Sequence, residues 1–358
     1  MQHSYLLSVI SFGKLISLVS RNKGVSIKYL GRFLFLLQGS LWSSLFKRIE
    51  RIKINYKEFS SEHKVGPVFI IGHWRTGSTF LHQIMSLDNQ FAAPSVVQVS
   101  VPESFLVSEK YFKKIMSKVI DDKRPMDNVK LGPDEPQEDE YAIVKMVKNT
   151  PLEKIFFRRN NKDFLDELRC EMENERISPQ WKLAFSNFLS RLIYRKKLVP
   201  LLKNPFHSYR IKELKKLFPN AKFIHIYRNP IDVIPSTIRM WNIVGSQNLL
   251  AGKWRDVSLD SAIKMFNSLW NNIQNEKQYL KDDNFVEVRF EELEKNPTET
   301  IKHIYNKLNL NYSVDFNIIL DEFLQSLKSY KKNKYELNET FVSEINHGCA
   351  EFIKYHNY

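Results

Sequence analysis

The chain has little of what staples or clips a fold together. Its two cysteines, Cys170 and Cys349, stand far apart in a sequence of 358 residues, and neither has metal-ligand spacing. A disulfide framework is not expected, and a reducing cytoplasm is the expected setting. Long apolar runs are also missing. The best stretch, Tyr29 to Phe46, is broken by Arg32 and Gln38, short of the ~18–20 clean apolar positions a membrane span requires. The first twenty residues carry Lys14 inside their apolar stretch and no basic leader, which argues against a signal peptide. No internal repeat and no low-complexity linker divides the chain.

Acidic charge is in deficit, 40 Asp+Glu against 54 Lys+Arg, for a net +14. That balance suits anionic partners such as nucleotides, nucleic acid or an anionic membrane surface, although a general richness in lysine explains it equally well. With 43% hydrophobic and 26% charged residues, the composition is that of a globular protein. One α/β domain with helical additions is the natural expectation.

The first ~60 residues read as amphipathic helices. Leu30, Phe33, Leu34, Leu37, Leu41 and Leu45 recur at three- and four-residue spacing, surrounded by Arg32, Lys47, Arg48, Arg51 and Lys53. Two readings stand: a helical layer packed on the main domain, or a surface that rests on a membrane or lines an entrance for an apolar substrate. From residue 61 to 358 the pattern becomes α/β. Short apolar runs at Val68–Ile71, Leu198–Leu202, Lys222–Tyr227 and Phe285–Arg289 read as buried parallel strands. Helical periodicity lies between them, as a helix-flanked parallel sheet requires. A mostly helical insertion, about 89–197, separates the first two strands and suits a substrate site.

One further absence is chemical. "FIIGHWRTGST", Phe69 to Thr79, is nearly a GxxxxGK[ST] phosphate loop, but Ser78 stands where that loop has lysine. A strand ending in glycine and turning into a helix still aims backbone N–H groups at an anion. Arg75 adds a cation within the turn. The missing lysine and the lack of an apolar strand ending in a metal-binding Asp weaken a kinase or NTPase reading. Downstream, "FIHIYRNPIDVIPS" places Arg228 at a strand end and Ser236 two turns into the next helix.

Together these segments resemble sulfotransferases that use 3′-phosphoadenylyl sulfate (PAPS), in particular a bacterial branch carrying RxGST and "PQEDE" motifs. The resemblance runs from about Pro67 to the end. It implies a P-loop-like sulfotransferase fold, with a central parallel β-sheet flanked by helices and an N-terminal helical layer. It also implies PAPS as co-substrate, adenosine 3′,5′-bisphosphate as product, and no metal. By the resemblance, Arg75, Thr76, Gly77, Ser78 and Thr79 hold the 5′-phosphosulfate, with Arg75 at the bridging oxygen. Arg228 and Ser236 hold the 3′-phosphate, and Lys203 contacts the sulfonate. Lys331, Lys332, Lys334 and Tyr335 correspond to a late loop over the 3′-phosphate, although the family's RKGxxGxW form is absent.

The acceptor hydroxyl needs a general base, for which Glu138, His207 and Glu140 are the candidates in that order. "DEPQEDE" by composition alone reads as a solvated helix cap. Trp74 and Trp241 are candidates for adenine stacking. The apolar helices favour a lipophilic alcohol, a sterol or glycolipid, over a carbohydrate acceptor. No nucleic-acid partner is expected, and peripheral membrane contact would run through the N-terminal helices.

Overall fold

The computed structural model describes residues 6–54, 66–119, 132–194, 198–327 and 338–358. Two compact units divide the chain: one comprises 1–62, 94–196 and 241–256, the other 63–93, 197–240 and 257–358. The N-terminal helices and most of the insertion between the first two long strands thus belong to one unit, and the long strands to the other.

Strands are numbered along the chain: β1 Val68–Ile71, β2 Phe91–Ala92, β3 Phe157–Arg158, β4 Val199–Lys203, β5 Lys222–Tyr227, β6 Ala251–Gly252 and β7 Phe285–Arg289. Among the described residues, the second unit holds a five-stranded parallel sheet in the order β2-β4-β1-β5-β7. Burial explains the sequence pattern strand by strand. Central β1, "VFII", is buried at all four positions, because helices cover both faces of a parallel sheet. Edge strand β7 alternates instead, with Val286 and Val288 buried and Glu287 partly exposed.

On one face, Val68, Ile70, Ile224, Ile226 and Val286 pack with Leu81 and Ile84 of helix Ser78–Ser86 and with Ile301 and Ile304 of helix Pro297–Lys307. On the other, the Phe69 ring stacks on Phe223 at 5.2 Å. From β1 the chain passes to β2 and β4 on one side and then crosses β1 to reach β5 and β7 on the other, so the carboxyl ends of β1, β4 and β5 flank the point where strand order reverses. Open α/β sheets bind ligands at that point.

The first unit is mainly helical, with β3 and β6 forming a short parallel pair. Its helix Leu30–Lys53 buries Leu36, Ser40, Ser43 and Glu50. The leucines singled out by periodicity lie elsewhere: Leu30, Leu34, Leu41 and Leu45 are all exposed. The helix instead packs through a face of small residues and one carboxylate. Glu50 is fully buried, accepting from Arg191 Nε at 3.0 Å and from the Leu106 amide at 3.0 Å.

Candidate functional site

Gly72 follows β1 with φ 135°, Arg75 sits at φ 70°, and Gly77 at φ 88° starts helix Ser78–Ser86. Three left-handed residues within six positions fold the chain into a tight cup, and Arg75 takes this conformation without glycine's freedom. Such strain in a non-glycine residue persists where the surroundings impose it and is concentrated at ligand-binding turns.

Those surroundings are visible. The Gly72 N–H donates to Ser208 Oγ at 3.0 Å, and Thr76 Oγ1 donates to the His73 carbonyl at 2.8 Å. Thr76 therefore spends its hydroxyl bracing the loop. His73 is buried, its Nδ1 lies 2.9 Å from the Trp74 carbonyl oxygen, and burial pulls its pKa down to about 4. A Cβ on Gly77 would lie 2.0 Å from the Phe290 ring, so both conformation and space demand glycine there. Ser78 is buried and Thr79 half-buried at the head of the helix.

The second motif reaches the first through side chains. Arg75 Nε donates to Ser236 Oγ at 2.8 Å. Arg228, just beyond β5, lies over the Phe290 ring at 4.7 Å and pairs with Asp232 Oδ2 at 3.0 Å. Asn229 caps the following helix, Pro230–Asn248, by accepting from the Ile231 amide at 3.0 Å, and its own amide donates to Glu291. Phe290 is thus the floor beneath both the loop glycine and Arg228. No sequence pattern assigned Phe290 a role, and the three-dimensional contact reveals it.

Lys203 ends β4 and is buried, with Ile70 of β1 as its cross-strand neighbour. His207 lies on the short turn Pro205–Tyr209 and is 0% exposed, its ring edge-on to Phe69 at 5.2 Å. Trp74 is also enclosed, edge-on to Phe206 at 5.4 Å. The second unit therefore brings together Arg75, Gly77, Ser78, Arg228 and Ser236 around one cup. Lys332, Lys334 and Tyr335 lie outside the described residues.

The acidic run belongs to the first unit, where the solvated-cap reading needs correction. Glu138 is 8% exposed, and Asp139 and Glu140 are fully buried. The Val96 amide donates to the Glu135 carbonyl, the Gln137 amide to the Pro94 carbonyl, and Ser95 bridges Pro136 in antiparallel fashion. This pairing pulls the segment inward. Only Asp134 behaves as a surface charge, 2.7 Å from Lys113. Trp241 packs against Phe164 at 4.9 Å in the same unit.

The chain matches known proteins. Residues 67–314 fit the model of the sulfotransferase family. The omega-hydroxy-beta-dihydromenaquinone-9 sulfotransferases Stf3 of Mycobacterium bovis and Mycobacterium tuberculosis are each 30% identical over 292 residues, covering 82% of this chain and 75% of theirs. In fold, the chain resembles the crystal structure of sulfotransferase STF9 from Mycobacterium avium with a TM-score of 0.69. That match has 16% identity and covers 95% of this chain and 88% of the other. Sulfotransferase STF1 from Mycobacterium tuberculosis H37Rv follows at 0.61 and 14% identity, covering 95% and 90%. The family match spans the loop after β1 and all five strands of the parallel sheet, and on that ground the chain belongs to the sulfotransferase family.

Proposed function

We propose that this sulfotransferase takes its sulfonate from PAPS and delivers it to the hydroxyl of a lipophilic alcohol. One observation carries the donor half of this reading: the hydrogen bond from Arg75 to Ser236, which gathers the two phosphate-type motifs around one cup. Gly77 lets the loop close down on the Phe290 ring, where a side chain would clash, and the N-terminus of helix Ser78–Ser86 supplies oriented N–H groups. Arg228 and Ser236 suit the second phosphate, and Arg75 the first.

When bound, PAPS supplies a sulfonate already activated by its 5′-phosphate. As the bond from sulfur to the bridging oxygen breaks and a bond to the acceptor oxygen forms, Arg75 and the helix amides stabilise charge on that bridging oxygen. Lys203 is assigned to the sulfonate, and Glu138 to the acceptor's proton. His207, sealed against Phe69, suits a packing role better. The acceptor class is supported by the relatives at 30% identity, whose name specifies a hydroxylated menaquinone derivative.

Titration with adenosine 3′,5′-bisphosphate tests the donor. At a hundredfold excess over its Kd, it should stabilise the chain by about 2.7 kcal/mol. Tighter binding of ATP with Mg²⁺ than of the bisphosphate would overturn the reading in favour of a nucleotide kinase or NTPase.

A further inference from the structure

The leucine stripe of helix Leu30–Lys53 has no place in the donor site. At 3.6 residues per turn, Leu30, Leu34, Leu41, Leu45 and Ile52 fall within about 60° of one another, and all are exposed, Ile52 by 78%. Phe12 and Ile16 of the neighbouring helix Phe12–Arg21 are exposed as well. The Phe12 amide donates to Ser44 Oγ at 2.8 Å, joining the two helices.

Beside this apolar surface the same two helices line a cavity of about 580 Å³. Lys14, Lys47, Arg48, Arg51, Lys145 and Lys148 surround it, against a single carboxylate, Glu103, which pairs with Lys47 at 2.6 Å. Lys14 Nζ is buried and has no hydrogen-bond partner among the described residues. Lys145 is held by the carbonyls of Val99 and Ser100, each at 3.1 Å. Burial lowers both ammonium groups, Lys14 to about 8 and Lys145 to about 7. Basic side chains thus outnumber the one lining carboxylate, and the cavity presents a positive field to an anion.

We propose that the two helices form a membrane-docking surface: the leucine stripe beds into the bilayer interface, and the basic cavity takes the phosphate of an anionic phospholipid. Amphipathic helices with basic flanks bind bilayers through this combination of buried apolar area and attraction to anionic lipid. A second copy of the chain is a poorer occupant, since pairing through this surface would bring basic cavities together. The inference does not depend on the donor reading, because binding is measured without turnover.

The test is co-sedimentation of the full chain with vesicles of phosphatidylcholine, alone or mixed with phosphatidylglycerol. Binding should require phosphatidylglycerol and fall as salt rises. Leu41→Ser with Leu45→Ser, and separately Arg48→Glu with Arg51→Glu, should each lower it about tenfold or more while leaving bisphosphate affinity unchanged. Should the charge-reversed chain fail to fold, the leucine pair carries the test, since both residues are already exposed. Equal binding to both vesicle types overturns the proposal. So does a concentration-dependent dimer that the leucine variant abolishes, or thermal stabilisation by inorganic phosphate without any vesicle binding.

Discussion

Arg75 donates from Nε to Oγ of Ser236 at 2.8 Å, joining residues 161 positions apart. Neither belongs to the other's motif, yet each orients the other. The guanidinium is thereby fixed above a loop whose backbone already sits in the left-handed region. The consequences are measurable.

Arg75→Ala should lower kcat about 10²–10³-fold, the usual cost of removing a donor aimed at developing charge. Arg75→Lys should recover part of that loss. Steady-state kinetics with PAPS as donor decide the matter, and full activity in the alanine variant would remove Arg75 from the chemistry.

Arg228→Ala should weaken adenosine 3′,5′-bisphosphate by roughly ten- to a hundredfold, the range of a lost charge-assisted hydrogen bond. Adenosine 5′-monophosphate, which lacks the second phosphate, should bind the variant and the parent equally. Calorimetric titration of both ligands separates a phosphate contact from general damage.

Gly77→Ala forces a methyl group into the Phe290 ring and imposes strain at φ 88°. Destabilisation of about 1–3 kcal/mol is expected from strain alone. Adding Phe290→Leu should relieve the clash but not the strain, giving partial recovery of the denaturation midpoint.

Glu138→Gln should reduce kcat about 10²–10⁴-fold, the span of general-base catalysis, with bisphosphate affinity untouched. If His207→Asn has that effect instead, the proton acceptor is the histidine.

Acid should weaken the fold. His73, a buried residue of the loop, and His356, also lowered by burial, both fall to about 4. Each therefore binds fewer protons folded than unfolded. Their stabilising contribution is whole above an unfolded pKa of about 6.5 and is lost as pH drops toward 4. For fully buried His73 this amounts to roughly 3 kcal/mol. Chemical denaturation between pH 7 and 4 should show the decline, and His73→Gln should flatten it.

How much of this was legible in the sequence depended on which forces acted locally. β1 and β5 coincide with the runs Val68–Ile71 and Lys222–Tyr227, because buried parallel strands need continuous apolar side chains, and β7 coincides with Phe285–Arg289 although, at the sheet edge, it alternates. Burial of Glu138 and Glu140 was not legible. It follows from pairing between residues 94–97 and 133–137, which no local composition reports. Helix Leu30–Lys53 misled in the other direction: periodicity located an apolar stripe, but serines and Glu50 make the packed face. In the proposed donor site, glycines and arginines announced themselves through their chemistry, whereas Phe290 acts by shape and was given no role by its sequence.

That phenylalanine also bears on when the site comes into being. Both motifs are complete once Ser236 has been synthesised, but their common floor belongs to a strand end more than fifty residues later. A growing chain would thus carry both motifs for some time with nothing beneath Gly77 or Arg228. Capacity to hold the nucleotide should arise only after β7 has paired with β5, coupling the first ligand-competent moment to the last strand added to the sheet.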